Sequence, residues 1–203
     1  MDETGYFYGV LDLYYAVMTN EETNSAPPTY GEPKVLAKSI EVTITPGYRE
    51  GKLNASNATV RNTKRVDTYT ASLHVDKIPS KVINELLGRK VDSNGVQIIS
   101  GGNKPPKVAI GFACTLDDDS QELWWLYKGT FSELTKSAKT DGENIEYQTP
   151  TIEGVFVRRM YDNHLAATVE TTDERIKPNV AENWFKSVYE SPAESGGEQP
   201  AQG

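Results

Sequence analysis

The chain has 203 residues, 37% hydrophobic and 25% charged, and its 21 Lys and Arg against 29 Asp and Glu give a formal net charge of -8. That balance argues against an ordinary nucleic-acid binder, which gains affinity by placing cations on phosphates and releasing counterions. The single cysteine excludes an internal disulfide, and no apolar run approaches the roughly 20 residues of a membrane helix.

Met1-Asp2-Glu3 is acidic where a secretory signal has a basic region, so the expectation is one soluble domain made in a reducing cytoplasm. Residues 1–9 read as an N-terminal leader and 10–189 as a single β domain. A strand at 9–19 carries apolar residues on both sides: Val10, Tyr14, Ala16 and Met18 on one, Leu11, Leu13, Tyr15 and Val17 on the other. It is either a central buried strand or one that meets another subunit, which makes Tyr15 a candidate interface aromatic. Residues 20–33 form a polar loop. At 39–45 the alternation is plain, with Ile40, Val42 and Ile44 predicted inward.

Residues 46–65 differ. They hold Gly47, Gly51 and three Asn, with Arg49, Lys52, Arg61, Lys64 and Arg65 against Glu50 alone. This stretch is basic within an acidic chain and cannot pack a core of its own. It reads as a long protruding loop, either a nucleic-acid contact or, as the overall sign of the charge favours, an arm that docks on an acidic face of another copy and orders only on assembly. A strand resumes at 66–75, with Tyr69, Ala71, Leu73 and Val75 inward. A short helix follows at 79–87, placing Val82, Ile83, Leu86 and Leu87 on one face and stopping at Gly88. Asn94-Gly95 is a hairpin signal.

The apolar mass concentrates at 108–159. Val108, Ile110, Phe112 and Cys114 alternate with Ala109, Gly111 and Ala113, a large face and a small one. After an Asp117-Asp118-Asp119-Ser120 turn, Leu123, Trp125, Tyr127 and Phe131 are predicted on one side and Trp124 and Leu126 on the other. Further strands are expected at 145–148, 151–159 and 165–171. A second helix is expected at 178–189 with the stripe Val180, Trp184, Phe185 and Val188. Residues 190–203 read as a disordered tail. The class is mostly β: a two-sheet sandwich or flattened barrel with one or two short flanking helices.

Chemistry is sparse. Gly47 to Leu53 lacks the spacing of a phosphate loop, His74 and His164 are far apart, and no nucleophile elbow occurs. Asp117 to Asp119 with Glu122 reads as a solvated turn rather than a Ca²⁺ site. Cys114 reads as a small buried hydrophobe. Asn54 and Asn57 head glycosylation-type triplets inside an Asn-rich loop. Trp124 is weighed as an exposed ring that stacks on sugars, as in a carbohydrate-binding module, and as an aromatic facing a helix or a partner, which is favoured.

Three blocks carry a resemblance: Val108-Ala109-Ile110-Gly111-Phe112, Trp125-Leu126-Tyr127-Lys128-Gly129-Thr130-Phe131, and Gln148-Thr149-Pro150-Thr151-Ile152-Glu153-Gly154-Val155-Phe156-Val157. Upstream stand Leu13-Tyr14-Tyr15-Ala16-Val17, Tyr30-Gly31-Glu32-Pro33, Leu86-Leu87-Gly88 and Val91-Asp92-Ser93-Asn94-Gly95-Val96. In that order they make the stretch 10–159 resemble the major tail protein family of long-tailed, non-contractile bacteriophages.

The resemblance implies a tail tube subunit, with hexameric rings stacked into a conduit that DNA traverses without specific binding. It also implies tape measure, distal tail and tail terminator partners, a place in the virion tail after synthesis in the host bacterial cytoplasm, and neither catalysis, cofactor, metal nor membrane. A self-assembling subunit needs heterologous contacts that do not close, and an acidic conduit suits a sliding polyanion.

Overall fold

A computed structural model describes residues 7–55, 58–134 and 149–192, and for 7–8, 52–55 and 58–62 the backbone alone. In chain order the elements are β1 (Phe7–Val10), β2 (Leu13–Asn20), β3 (Thr29–Tyr30), β4 (Lys34–Ala37), β5 (Ser39–Ala55), β6 (Ala58–Val75), α1 (Ser80–Leu86), β7 (Lys90–Val91), β8 (Gln97–Ile98), β9 (Val108–Leu116), β10 (Gln121–Phe131), β11 (Thr151–Val157), β12 (Ala166–Glu170) and α2 (Pro178–Asn183). The mostly-β class with two short helices holds. Its two sheets are unequal: ten antiparallel strands in one, and β7 with β8 in the other. The large sheet runs β3-β2-β9-β10-β11-β6-β5, with β1 on β9, β4 on β2 and β12 on β10. It curls until β1 lies against β5, yet no ladder joins that pair among the described strands.

β9 and β10 are the hub, and they bury both faces. One face holds the larger core: Leu13 and Tyr15 of β2, Leu73 and Val75 of β6, Ile110 and Phe112 of β9, Leu126 and Phe131 of β10, and Ile152 and Phe156 of β11. Leu86 and Leu87 close it from α1, whose apolar stripe falls where the helical period puts it. The opposite face holds Ala16, Ala109, Ala113, Leu123, Trp125 and Tyr127 beneath Trp184 and Val188. The strand expected at 9–19 is split: Gly9 and Val10 belong to β1, Leu11 is 46% exposed between the strands, and only Leu13 to Val17 of β2 packs against both cores within one chain.

Gly111 on β9 and Gly129 on β10 are small because rings lie on them. A Cβ at Gly111 would sit 3.0 Å from three carbons of the Trp125 indole, and one at Gly129 would sit 2.4 Å from the Phe156 ring. Trp125 donates its Nε1 hydrogen to the Trp184 carbonyl at 2.9 Å, which ties the C-terminal segment to the sheet.

Several expectations need correction. The leader does not extend to residue 9, because Phe7–Val10 pairs with β9 as β1. Ile40 points outward, 52% exposed, because a bulge between Ser39 and Glu41 shifts the register. Phe131 joins the core of Leu126 rather than that of Trp125, since the ladder slips between Leu126 and Gly129. α2 stops at Asn183; Trp184, Phe185 and Val188 still pack on the sheet, but through tight turns such as the Lys186 amide donating to the Asn183 carbonyl. Residues 46–65 are not a structureless loop: β5 and β6 continue through them as one long hairpin. The expected strand at 145–148 lies outside the described residues.

Candidate assembly surface

The long hairpin is the feature the fold does not use for its core. β6 pairs with β11 only from Thr68 to His74, and beyond Thr68 the β5–β6 pair runs on alone as an arm. Its register sets Tyr48 against Val66, Arg49 against Arg65 and Glu50 against Lys64. Gly47 marks the departure point, beside a register shift, where a Cβ would fall 2.3 Å from the Thr68 hydroxyl oxygen. Among the basic residues singled out from sequence, Arg49, Lys64 and Arg65 are exposed. The Lys64 ammonium lies 4.0 Å above the Tyr48 ring and 3.9 Å from Glu50. For Lys52 and Arg61 only the backbone is described; they pair with Asn62 and Leu53. Arg49 and Arg65 stand directly opposite each other as like charges, and Asp67 offsets the first of them.

The arm's root is pinned. Arg158, just past β11, donates to Asp67 at 2.6 Å and to Asn163 at 2.8 Å, while Arg49 approaches the other Asp67 oxygen at 3.4 Å. One carboxylate therefore joins the two arm strands to the sheet. These residues border an open cleft of about 320 Å³ with Thr68, Val157 and Met160.

Next to the root lies a buried ionic cluster. Arg159 is 1% exposed; it donates to Asp162 and, at 2.6 Å, to Glu190, and its guanidinium stacks 4.0 Å from the centre of the Tyr127 ring. Glu190 is accordingly a fixed partner and not the start of a loose tail. Lys128 pairs with Glu22, which also accepts the Tyr161 amide at 3.1 Å. Burial alone would raise the Glu22 carboxyl, but Lys128 and the Met160 and Tyr161 amides outweigh it and hold the group below the ordinary carboxylate range. Asp162 behaves the same way: burial opposes, Arg159 and the His164 amide prevail, and its acidity increases.

The two candidate interface aromatics fare differently from the arm. Tyr15 is 1% exposed and donates its hydroxyl to Glu85 at 2.8 Å, so it is a core residue and presents no surface. Trp124 is half-buried and stacks on Phe112, ring centres 5.9 Å apart and planes at 4°, so it offers no open platform to a sugar. His74 bonds to Thr149 and His164 to Asp162, and no group of three metal-ligating side chains occurs among the described residues. No described helix is long and apolar enough to cross a membrane. Sequence reasoning missed Asp67, Arg158, Arg159 and Glu22. Their one visible signal was a charge beside a strand end, which does not identify a partner.

A family model described as phage tail tube protein matches residues 40–173, from the start of β5 to just beyond β12. No curated protein matches the chain. Among solved structures, the sheath/tube terminator of the extracellular contractile injection system PVC, in the extended state, is 12% identical, with 82% of this chain and 99% of that chain covered and a TM-score of 0.41. The sheath-tube complex of the same system is 13% identical over 82% and 95%, with a TM-score of 0.42. The tube terminating cap of the anti-feeding prophage is 12% identical over 83% and 95%, with a TM-score of 0.41. The family match, rather than these loose likenesses, carries the assignment: the chain belongs to the phage tail tube protein family, a family of structural tail components and not of enzymes.

Proposed function

We propose that this chain is the repeating subunit of the tail tube, that six copies close a ring, and that stacked rings form the conduit for phage DNA. The observation that carries this reading is the bare face of β5, β6 and β11. Its outward residues are Glu41, Thr43 and Thr45; Thr68, Thr70, Ser72 and His74; Thr151, Glu153, Val155 and Val157. Neither described helix covers it, and residues 39–47, 66–75 and 151–157 contain not one Lys or Arg in a chain that has 21. A wall past which a polyphosphate slides should offer hydroxyls and carboxylates and no cations to hold it. This face is the lumen wall.

The basic arm then reaches away from the wall onto a neighbouring copy. β5 is the last strand of the sheet order, so its outer edge beyond Gly47 can continue a neighbour's sheet. Assembly in the host cytoplasm around a tape measure protein, between distal tail and terminator proteins, completes the reading.

Electron microscopy of assembled protein tests it. The expected reconstruction has six-fold rings with Thr70 and Glu153 facing the lumen. A lumen lined by Arg49 and Arg65 would refute the wall assignment. Hydrogen exchange tests the arm: amides at 48–66 should gain protection on assembly, and equal protection in free and assembled protein would show that the arm touches no neighbour.

A further inference from the structure

We propose that the turn at 158–164 is a coupler that makes the posture of the β5–β6 arm depend on the seating of the C-terminal strap, residues 184–190. The device belongs to the single subunit and stands apart from the tube reading. Among the described residues, the strap is tied at its start by the Trp125 hydrogen bond to the Trp184 carbonyl and at its end by Glu190 on Arg159. The arm leaves the ladder with β11 at Thr68. The described side-chain bond that crosses from arm to sheet there runs from Arg158 to Asp67.

Both ties end on neighbouring residues of one turn. Arg158 donates to Asp67 at 2.6 Å and to Asn163 at 2.8 Å. Arg159 donates to Glu190 at 2.6 Å and, through Nε, to Asp162 at 3.0 Å. Asp162 and Asn163 belong to the turn itself, so each arginine bridges the turn to one outside segment. The turn has little freedom of its own. The Arg159 amide donates to the His164 carbonyl at 2.9 Å, the Asn163 amide to the Arg159 carbonyl at 3.1 Å, and the His164 amide to Asp162 at 3.0 Å. Asn163 takes a left-handed φ of +62°, which asparagine tolerates better than most residues. Glu22, paired with Lys128, accepts the Tyr161 amide and holds the tip.

A turn closed by its own bonds moves as a unit, so a shift at Arg159 is carried to Arg158. Glu190 is the tie that opens. Its side chain is 41% exposed, against 0% for Arg159, and the strap pairs with no described strand, a mark of low local stability. When Glu190 departs, a buried guanidinium nitrogen loses its acceptor, a costly state that Arg159 relieves by shifting together with its turn. The shift takes Arg158 off the geometry that holds Asp67, and the arm comes loose at its root. With the strap seated the arm is presented at one angle; with the strap released it is not.

Spin-label distances test the coupling in the unassembled full chain. Gly51→Cys on the arm, where a Cβ meets nothing within 4 Å, and Ser93→Cys between β7 and β8 carry the labels. The natural Cys114 reacts slowly, because burial first and the Glu122 carboxylate second raise its thiol to about 11. The parent should show one sharp distance, and Arg158→Met, which cuts the arm's tie, should replace it with a broad one. Glu190→Gln leaves the arm's own bonds intact and should raise the broad fraction about fivefold. Coupling is reciprocal, so Asp67→Asn should speed hydrogen exchange at the strap amides by about the same factor. Exchange at Asp92 to Val96 should stay constant in both variants. A broad distance in the parent, a distance unmoved by Glu190→Gln, or strap exchange unmoved by Asp67→Asn overturns the proposal. So does an equal rise at Asp92 to Val96, which would mean general loosening. All the readings are made on single subunits and hold whether or not tubes form.

Discussion

Gly129→Ala tests the packing of the sheet where a glycine lies under a fully buried ring. The added carbon would lie 2.4, 2.5 and 2.6 Å from three atoms of the Phe156 ring, where carbon atoms ordinarily rest about 3.5–4.0 Å apart. The ring must therefore retreat by about 1 Å. It has nowhere to go: Phe156 is 0% exposed and stands edge-on to Phe131, centroids 6.1 Å apart, and the Phe131 ring in turn covers Gly154. Overpacking costs about 1–3 kcal/mol, and a shortfall of this size against a wholly buried ring places the loss near the upper figure. Gly51→Ala is the control, because a Cβ there meets nothing within 4 Å. It should change stability by about 0.5 kcal/mol or less, in the favourable direction. Urea unfolding of unassembled protein, followed by tryptophan fluorescence, reads both. A Gly129→Ala loss under about 1 kcal/mol with an unchanged denaturant slope would refute the packing argument.

Arg159→Met leaves Asp162 and Glu190 without their cation and should cost about 3 kcal/mol in the same assay, the lower end for a broken buried pair because Glu190 is 41% exposed at its side chain. Glu22 and Asp162 are more acidic folded than unfolded, so the unfolded chain binds more protons. Their stabilisation is present above the ordinary values of 4.5 and 3.8 and is lost as pH falls below them, and Glu22→Gln should flatten that acid loss. Asp67→Ala should alter subunit stability by less than about 1 kcal/mol, since its ion pairs are partly exposed. The same change should impair tube growth seen in micrographs, because it unpins the arm from Arg158. Deleting residues 178–203 bares the Trp125 and Tyr127 face and should abolish cooperative unfolding by near-ultraviolet circular dichroism.

Where burial is one-sided, the sequence was readable. β6 shows Tyr69, Ala71, Leu73 and Val75 at period two because one face meets the core and the other does not. The β5–β6 arm was not readable as strands. At 48–51 and 63–65 both of its faces meet water, so no alternation distinguishes this stretch from a loop, and backbone pairing makes it a hairpin. Phe131 and Ile40 were misplaced because a bulge reverses every later side chain and leaves no mark in composition. The basic character of the arm was legible; its anchor was not, since Asp67 and Arg158 are 91 positions apart and each alone resembles any surface charge.

The division of labour within the chain follows from where its cations stand. In the curled sheet β5 before Pro46, β6 after Arg65 and β11 hold no Lys or Arg, as do β1, β2, β3, β9 and β12, but only the first three leave one whole face uncovered by a described helix; many of the cations stand on the arm, around α1 and the β7–β8 hairpin, and in the buried pairs of Lys128 and Arg159. Folding alone does not demand this, since the bare face of those strands is exposed enough to carry Lys at no cost. Nor does solubility, which mixed surface charge serves as well. On the proposed tube reading, a requirement that this face never hold a phosphate would account for its lack of cations.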